Sequence, residues 1–221
     1  EKSSKMDLIC EFFTNHSLLI PSSTYVCSVL EVSRIASNGR IVNVIGEHEE
    51  GKSNVDVESL QITNVKLDYY PRYLCKFFPN LKSILIISGG LKKLSKFDFI
   101  GGEGIEKLIV IGNDIETIDN DIFDYAPNIE SISLFRNNIK FMGDKVFDKM
   151  KKLKYVNLKF NNSIDFCFKE FGCGLKTLKE LKEAIKKVNE KQQKEKLMME
   201  VGRILKSTIE IRVNGEIYNE A

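Results

Sequence analysis

Residues 105–118 read IEKLIVIGNDIETI, and residues 129–142 read IESISLFRNNIKFM. The two stretches begin 24 residues apart and carry aliphatic residues at positions 1, 4 and 6. The same spacing continues in both directions without insertions, so that five repeats begin at Val57, Leu81, Ile105, Ile129 and Leu153. A constant period of this length predicts a solenoid, in which each repeat forms one coil and buries its apolar side against the next coil.

Two other positions of the repeat describe the interior of this solenoid. Position 9 is asparagine in the last three repeats, namely Asn113, Asn137 and Asn161. We expect each of these amides to bond to the backbone of adjacent coils, where the chain leaves its strand and needs partners. Position 19 is phenylalanine in three repeats, and stacked rings there predict an aromatic spine: Phe99, Phe123 and Phe147.

Cys75 occupies position 19 of the first repeat, in line with this spine. A cysteine on the core side of a coil packs as a small hydrophobic residue. The alternative, a reactive thiol, would need exposure and a lowered pKa. The position in the repeat favours the structural role.

The repeat pattern resembles the leucine-rich repeat family, in its 24-residue class with a phenylalanine spine, over residues 57–173. The resemblance implies an α/β-type repeat fold, a curved solenoid with one short parallel strand per coil lining a concave face. We expect three parts: a β cap at residues 1–56, five repeats with a C-terminal cap at residues 57–174, and a helical tail at residues 175–221.

The segment before the repeats contains apolar, β-rich stretches at residues 25–32 and 40–45 and predicts a β-hairpin cap. Cys10 and Cys27 flank a loop that contains Pro21, and a disulfide between them would clamp the hairpin. The stretches YVCSV (25–29), VIGEH (44–48) and FFPNL (77–81) resemble secreted leucine-rich repeat proteins of midges and mosquitoes. That resemblance implies an extracellular chain that has lost a signal peptide.

An extracellular location bears on the remaining cysteines and on one asparagine. Extracellular members of the family often close their C-terminal cap with disulfides, so the resemblance implies a second bond between Cys167 and Cys173. Disulfides persist in oxidising compartments. Asn15 begins an Asn-His-Ser sequon in a predicted loop, and we expect it to be glycosylated.

From residue 175 the apolar period changes to three and four residues, which predicts an amphipathic helix over residues 175–206. Its first stripe contains Leu181 and Ile185, and a polar segment separates it from a second stripe near Leu197. Three roles remain open for this helix: a cap on the last coil, a dimerisation or partner helix, or a cover over the concave face. Residues 208–213 alternate like a strand and precede an Asn-Gly turn.

Residues between the buried positions of each strand face outward on the concave side. Several of them are apolar, and a contiguous exposed apolar patch marks an interaction site. The alternatives are a patch covered by the tail and residues selected only for their preference for β-strands. The predicted partner site comprises six apolar or aromatic residues and three basic ones: Leu85, Ile87, Ile109, Ile111, Phe135, Tyr155, Lys107, Arg136 and Lys159.

No catalytic pattern accompanies the repeats: the chain has no nucleophile elbow, P-loop or zinc-protease motif, and only two histidines. We expect no enzyme activity, no cofactor and no metal. A net charge of +2 gives no basis for nucleic-acid binding, and no run of residues is long and apolar enough to span a bilayer.

These observations favour a secreted, non-catalytic binding module that recognises a protein, or a glycan- or lipid-bearing partner, on its concave face. Mosquito immune factors combine leucine-rich repeats with a C-terminal coiled coil, so the resemblance implies a role in innate immunity. The alternative is an extracellular structural or secretion component that assembles, for example as a homodimer, through the helix at residues 175–206.

Overall fold

The computed structural model describes residues 6–15, 23–33, 40–168 and 175–217. The strands are β1 (Met6–Asn15), β2 (Thr24–Ser33), β3 (Ile41–Ile45), β4 (Ser59–Thr63), β5 (Ser83–Ile87), β6 (Lys107–Ile111), β7 (Thr117–Ile118), β8 (Ser131–Ser133), β9 (Phe141–Met142), β10 (Tyr155–Asn157) and β11 (Cys167–Phe168). Most of them belong to one nine-stranded sheet with the order β11-β10-β8-β6-β5-β4-β2-β1-β3, and β7 pairs with β9 in a second sheet. The α-helices are α1 (Leu74–Phe77) and α2 (Leu178–Ile217).

The five repeats supply the parallel centre of the main sheet. Strands β4, β5, β6, β8 and β10 pair side by side, and equivalent repeat positions face one another: Leu60 pairs with Ile84, and Ile84 pairs with Leu108. These three side chains are buried, because residues at alternate positions of a strand point to the same face. The predicted solenoid of parallel strands is confirmed.

In every repeat the residue at position 8, after the strand, lies in the left-handed region of backbone conformation. This single residue turns the chain out of the strand. Glycine accepts such a conformation without strain, whereas a bulky side chain does not. The five residues and their φ angles are Asn64 (57°), Ser88 (54°), Gly112 (65°), Arg136 (54°) and Phe160 (59°).

The asparagines at position 9 hold neighbouring coils together. The side-chain oxygen of Asn113 accepts hydrogen bonds from the backbone N–H groups of Gly89 and Leu91, at 3.0 and 3.1 Å. Its amide donates to the carbonyls of Ile86 and Ile111, at 3.2 and 2.9 Å. Three of these four bonds are buried, and they satisfy backbone atoms of Gly89, Leu91 and Ile86 that would otherwise be costly to bury.

The aromatic spine runs through the coils as predicted and is longer by one ring. The ring centres of Phe99 and Phe123 lie 5.8 Å apart, and those of Phe123 and Phe147 lie 6.5 Å apart. Tyr70, from position 14 of the first repeat, packs on Phe99 at 5.3 Å and ends the spine.

Cys75 is half-buried against the same core, and burial raises the pKa of its thiol to about 11. It therefore has the properties of a packing residue and not of a reactive thiol.

The N-terminal strands continue the main sheet. Strands β1 and β2 form an antiparallel hairpin with a bulge at Ile9 and Cys10, β2 pairs in parallel with β4, and β3 pairs with β1. A disulfide joins Cys10 to Cys27, with Cα atoms 5.6 Å apart. The hairpin thus covers the apolar end of the first coil, which a solenoid otherwise exposes.

The other end of the sheet is closed by β11, which pairs antiparallel with β10. Cys167, the first residue of β11, is disulfide-bonded. The predicted partner, Cys173, lies outside the described residues.

Helix α2 begins at Leu178 and continues to Ile217. The prediction of a strand at residues 208–213 is therefore wrong. Extending a helix adds one hydrogen bond for each residue that it fixes, whereas a strand needs a neighbouring strand to pair with. None of the described strands pairs with this segment.

The first half of α2 packs on the last coils on the side of the second sheet. Leu181 and Ile185 are buried in the common core. Asn189 donates a hydrogen bond to the carbonyl of Met142 at 2.8 Å, and Gln192 donates to that of Lys140 at 2.8 Å. This half acts as a cap, and among the described residues its hydrogen bonds do not reach the outward-facing side chains of the main sheet.

Candidate functional site

The outward face of the main sheet is built from positions 3, 5 and 7 of each repeat, which alternate with the buried positions. The strand pairing aligns these residues in rows that cross the sheet. One row contains Lys107, Ser131 and Tyr155, and the next contains Leu85, Ile109, Ser133 and Asn157. Side chains from four coils are thereby brought next to one another on a rigid surface.

A shallow depression of about 470 Å³ lies on this face, over the third, fourth and fifth repeats. Its lining combines aliphatic, aromatic and small polar side chains with one basic residue. The lining residues are Lys107, Ile109, Ile111, Ser131, Ser133, Phe135, Tyr155 and Asn157.

The depression exists because the fourth repeat carries serine at positions 3 and 5. Ser131 lies between Lys107 and Tyr155, and Ser133 lies between Ile109 and Asn157. A small residue flanked by larger ones leaves a hollow in the sheet surface. The two serines and Asn157 were missing from the predicted partner site, although small residues at outward positions between large ones were a signal in the sequence.

Asn157 is fixed in the floor of the depression. Its side chain is buried, and its oxygen accepts a hydrogen bond from the backbone N–H of Lys159 at 2.9 Å. This bond holds the turn after β10 against the floor, so that the site is largely preformed.

Phe135, which lines the depression, belongs to an aromatic pair. The rings of Phe135 and Phe160 meet edge to face with centres 5.0 Å apart. The backbone N–H of Phe160 donates to the carboxylate of Asp165 at 2.7 Å, which anchors the turn that carries this ring. Phe160 is 68% exposed, so most of the ring is open to solvent. It was not among the predicted site residues.

The structure divides the nine predicted site residues into two groups. Five of them line the depression: Lys107, Ile109, Ile111, Phe135 and Tyr155. The other four adjoin it: Leu85 and Ile87 pair with Ile109 and Ile111 from the neighbouring strand, and Arg136 and Lys159 follow Phe135 and Asn157 along the chain. The assignment of a partner to these residues stays a prediction.

The other candidate chemical groups have structural partners. The ring nitrogens of His48 lie 3.1 Å from the Tyr25 hydroxyl and 3.1 Å from the Asn54 side-chain oxygen. The same ring packs on Phe12 at 3.8 Å. Within the described residues, no three His, Cys, Asp or Glu side chains are grouped to hold a metal.

Two further sequence predictions are the glycosylation of Asn15 and the lack of a membrane-spanning segment. Asn15 is the last residue of β1, and the remainder of its sequon lies outside the described residues. In the described part of the chain, no helix is both long enough and apolar enough to cross a membrane.

Comparison with known proteins supports the leucine-rich repeat resemblance. A family model described as leucine rich repeat matches residues 103–164, which contain the third and fourth repeats. Together with the parallel coils, this match identifies the fold as a leucine-rich repeat solenoid. A search of curated proteins finds no match.

Two solved structures are similar to part of the chain. Both are of the Drosophila Toll–Spätzle complex, described as a molecular hub in development and innate immunity. One is 26% identical over 56% of this chain and 17% of that chain, with a TM-score of 0.47. The glycosylated form is 26% identical over 58% and 18%, with a TM-score of 0.45. This chain thus spans less than a fifth of that protein's length, and the narrower resemblance to midge and mosquito proteins stays a prediction.

Proposed function

We propose that this chain is a non-catalytic binding module that holds a protein partner in the depression on the outward face of its main sheet. The observation that carries the proposal is the depression itself, where Ile109, Ile111, Phe135 and Tyr155 offer apolar surface beside a few polar groups. Apolar and aromatic side chains around a concave surface are typical of sites that anchor a partner.

The rigidity of the surrounding coils supports this proposal. Asn137 and Asn161 bond to backbone groups on both sides of the site, at distances of 2.8 to 3.4 Å. A surface that is already ordered loses little conformational entropy when it binds.

The proposal includes an extracellular location. The buried Cys10–Cys27 disulfide supports it, since such bonds persist in oxidising compartments. Glycosylation at Asn15 and a role in innate immunity belong to the same proposal. They rest on the sequon and on the resemblance of the N-terminal segment to secreted insect proteins.

The test is a binding screen with the oxidised, immobilised chain against a panel of secreted proteins from the source organism. Each partner found is measured again with Ile109→Asp and with Phe135→Asp. The matched control is Thr63→Asp, an exposed position of the same face two coils away from the depression. We expect both site variants to lose binding and the control to keep it. Partners that bind the site variants as tightly as the unchanged chain would refute the proposal.

A second candidate function, assembly through α2, rests on a separate observation. Beyond its docked half, this helix exposes a group of large apolar side chains: Leu197, Met198, Met199, Val201 and Leu205. Exposed apolar residues at this density mark a contact surface, and a second copy of the chain would satisfy it by helix pairing.

Light scattering distinguishes this candidate. The full chain is compared with the double variant Leu197→Glu and Leu205→Glu, and with Lys194→Glu as a control for added negative charge. A dimer mass that falls to that of a monomer only in the double variant supports assembly. A monomer mass for the unchanged chain at high concentration rules it out.

A further inference from the structure

Acidic residues are missing from the outward face of the five repeats. The chain contains 31 acidic residues, yet none occupies positions 3, 5, 7 or 8 of any repeat. Three basic residues do occupy these positions, and all of them belong to the last three repeats, next to the depression: Lys107, Arg136 and Lys159. The side chains at these outward positions therefore carry charge of one sign only.

Five lysines elsewhere on the solenoid are paired with carboxylates of the neighbouring coil. Lys82 lies 2.6 Å from Glu58, and Lys154 lies 2.7 Å from Glu130. The same spacing of one coil joins Lys140 to Glu116, and Lys96 and Lys149 reach Asp121 and Asp124. These pairs cancel the local field of each lysine.

Lys107, Arg136 and Lys159 differ from those five lysines, because none of the three has an ion pair within the described residues. Their charge is therefore not offset by an ion pair, although the exposed carboxylate of Asp165 accepts from the backbone N–H of Phe160, the residue after Lys159. Exposed lysines off this face, such as Lys66 and Lys92, have no ion pair in the described part of the chain either, so the outward face is distinguished by its lack of acidic residues. Charges of one sign around an apolar concavity attract a partner of opposite charge and orient it.

We propose that the partner is a protein segment in which acidic side chains flank a large apolar or aromatic residue. The apolar residue enters the depression against Ile109 and Phe135, and the carboxylates reach Lys107, Arg136 and Lys159. The inference rests on the proposed function, since it assigns the chemistry of the partner at that site.

Other anionic partners fit this surface less well. An anionic membrane requires apolar groups that protrude into the lipid, whereas the apolar groups here line a hollow. A nucleic acid or a sulfated glycan requires a dense array of cations along its backbone, and only three basic residues occur at the outward positions of five coils. The apolar lining has no role in either case.

The experiment selects peptides from a random displayed library on the full chain and measures their affinity for three variants. The charge variant is Lys107→Gln with Arg136→Gln and Lys159→Gln. The matched control is Lys66→Gln with Lys92→Gln and Lys151→Gln, three exposed lysines that lie off this face. The third variant is Ile109→Asp, which tests the depression itself.

We expect enriched peptides to carry Asp or Glu next to a large apolar residue. Their affinity should fall about tenfold or more in the charge variant and stay unchanged in the control. It should also weaken when salt is raised from about 0.05 M to about 0.5 M, because the screening length shortens.

The remaining outcomes separate the two proposals. Enriched peptides that lack acidic residues, or that bind the charge variant equally well, but still lose binding to Ile109→Asp would overturn this inference and leave the proposed function standing. Peptides insensitive to Ile109→Asp, or no enrichment at all, would count against both. Sedimentation with phosphatidylserine vesicles that fails only for the charge variant would replace the protein partner with a membrane.

Discussion

Phe160 packs edge to face on Phe135, with ring centres 5.0 Å apart, although its own backbone lies in the left-handed region at φ 59°. A phenylalanine in this conformation costs roughly 1–2 kcal/mol relative to glycine. The ring is mostly exposed, so burial returns little of that cost. The chain thus holds a mostly exposed aromatic ring against Phe135, a lining residue of the depression, at the expense of its own stability, which is the pattern expected of a binding residue.

Substitutions at Phe160 test whether the residue lowers stability and contributes to binding. Phe160→Gly and Phe160→Ala both remove the ring, but only glycine also relieves the backbone. We expect the glycine variant to be more stable than the alanine variant by about 1 kcal/mol, with both losing affinity for the partner. Urea unfolding gives the stabilities. Equal stabilities would show that the turn is not strained.

The second prediction concerns the stability contributed by the buried asparagines at position 9. The amide of Asn137 donates to the carbonyls of Val110 and Leu134, at 2.8 and 3.0 Å, inside the core. Asn137→Ala removes this donor from the Val110 carbonyl and one of two side-chain donors from the Leu134 carbonyl, which also accepts from the Asn161 amide at 3.0 Å. The free energy of unfolding should therefore fall by about 1–3 kcal/mol. Asn138→Ala is the matched control, since Asn138 is exposed and, among the described residues, its side-chain amide donates only to the Asp114 side chain at 3.3 Å. A similar loss in both variants would contradict a special role for the buried amide.

The third prediction concerns the stability effect of the Tyr70 hydroxyl at the end of the aromatic spine. The hydroxyl of Tyr70 is buried and has no hydrogen-bond partner among the described residues. Tyr70→Phe removes this unsatisfied group and keeps the ring on Phe99, so we expect stability to be unchanged or higher by about 1 kcal/mol at neutral pH. Tyr69→Phe, at an exposed neighbouring position, is the control.

The same residue predicts how stability depends on alkaline pH. Burial, and then the nearby Cys75 and Asp98, raise the pKa of Tyr70 well above the usual 10.0. The folded state therefore keeps the phenolic proton when the unfolded state has begun to lose it. This contribution is present below about pH 10 and is lost as the pH rises above that value. Denaturant midpoints at neutral and alkaline pH should show a smaller alkaline loss in Tyr70→Phe than in Tyr69→Phe, and the reverse order would refute the assignment.

The repeat period was sufficient to predict the parallel coils, because each aliphatic position recurs at a fixed spacing and can bury only against its equivalent in the next coil. The asparagine and phenylalanine positions followed from the same alignment. Tyr70 at the end of the spine was not predictable in this way, since it comes from position 14 and not from position 19.

The site was predictable only in part. Alternation along each strand placed Ile109, Phe135 and Tyr155 on the outward face, but the hollow depends on what Ser131 and Ser133 leave unfilled, and an apolar pattern does not record missing volume. Residues 208–213 were predicted as a strand from their alternation but belong to helix α2, because a period of two indicates a strand only where a neighbouring strand is available. Whether α2 docks along the second sheet depended on contacts 47 and 52 residues apart in sequence.

Two leucines of α2 provide the last prediction, since they share a helix but differ in environment. Leu181 is fully buried against the last coil, whereas Leu197 is 64% exposed. Leu181→Ala should lower the free energy of unfolding by about 2–4 kcal/mol, because it leaves a cavity under the cap. Leu197→Ala should change it by less than about 0.5 kcal/mol. Calorimetry or urea unfolding of the two variants measures the difference. Equal effects would mean that the docked half of α2 does not cap the solenoid, and a chain truncated before residue 175 would then be as stable as the full chain. We expect such a truncation to expose the core instead. Assembly through α2 is therefore better tested with chains that end after Gln193.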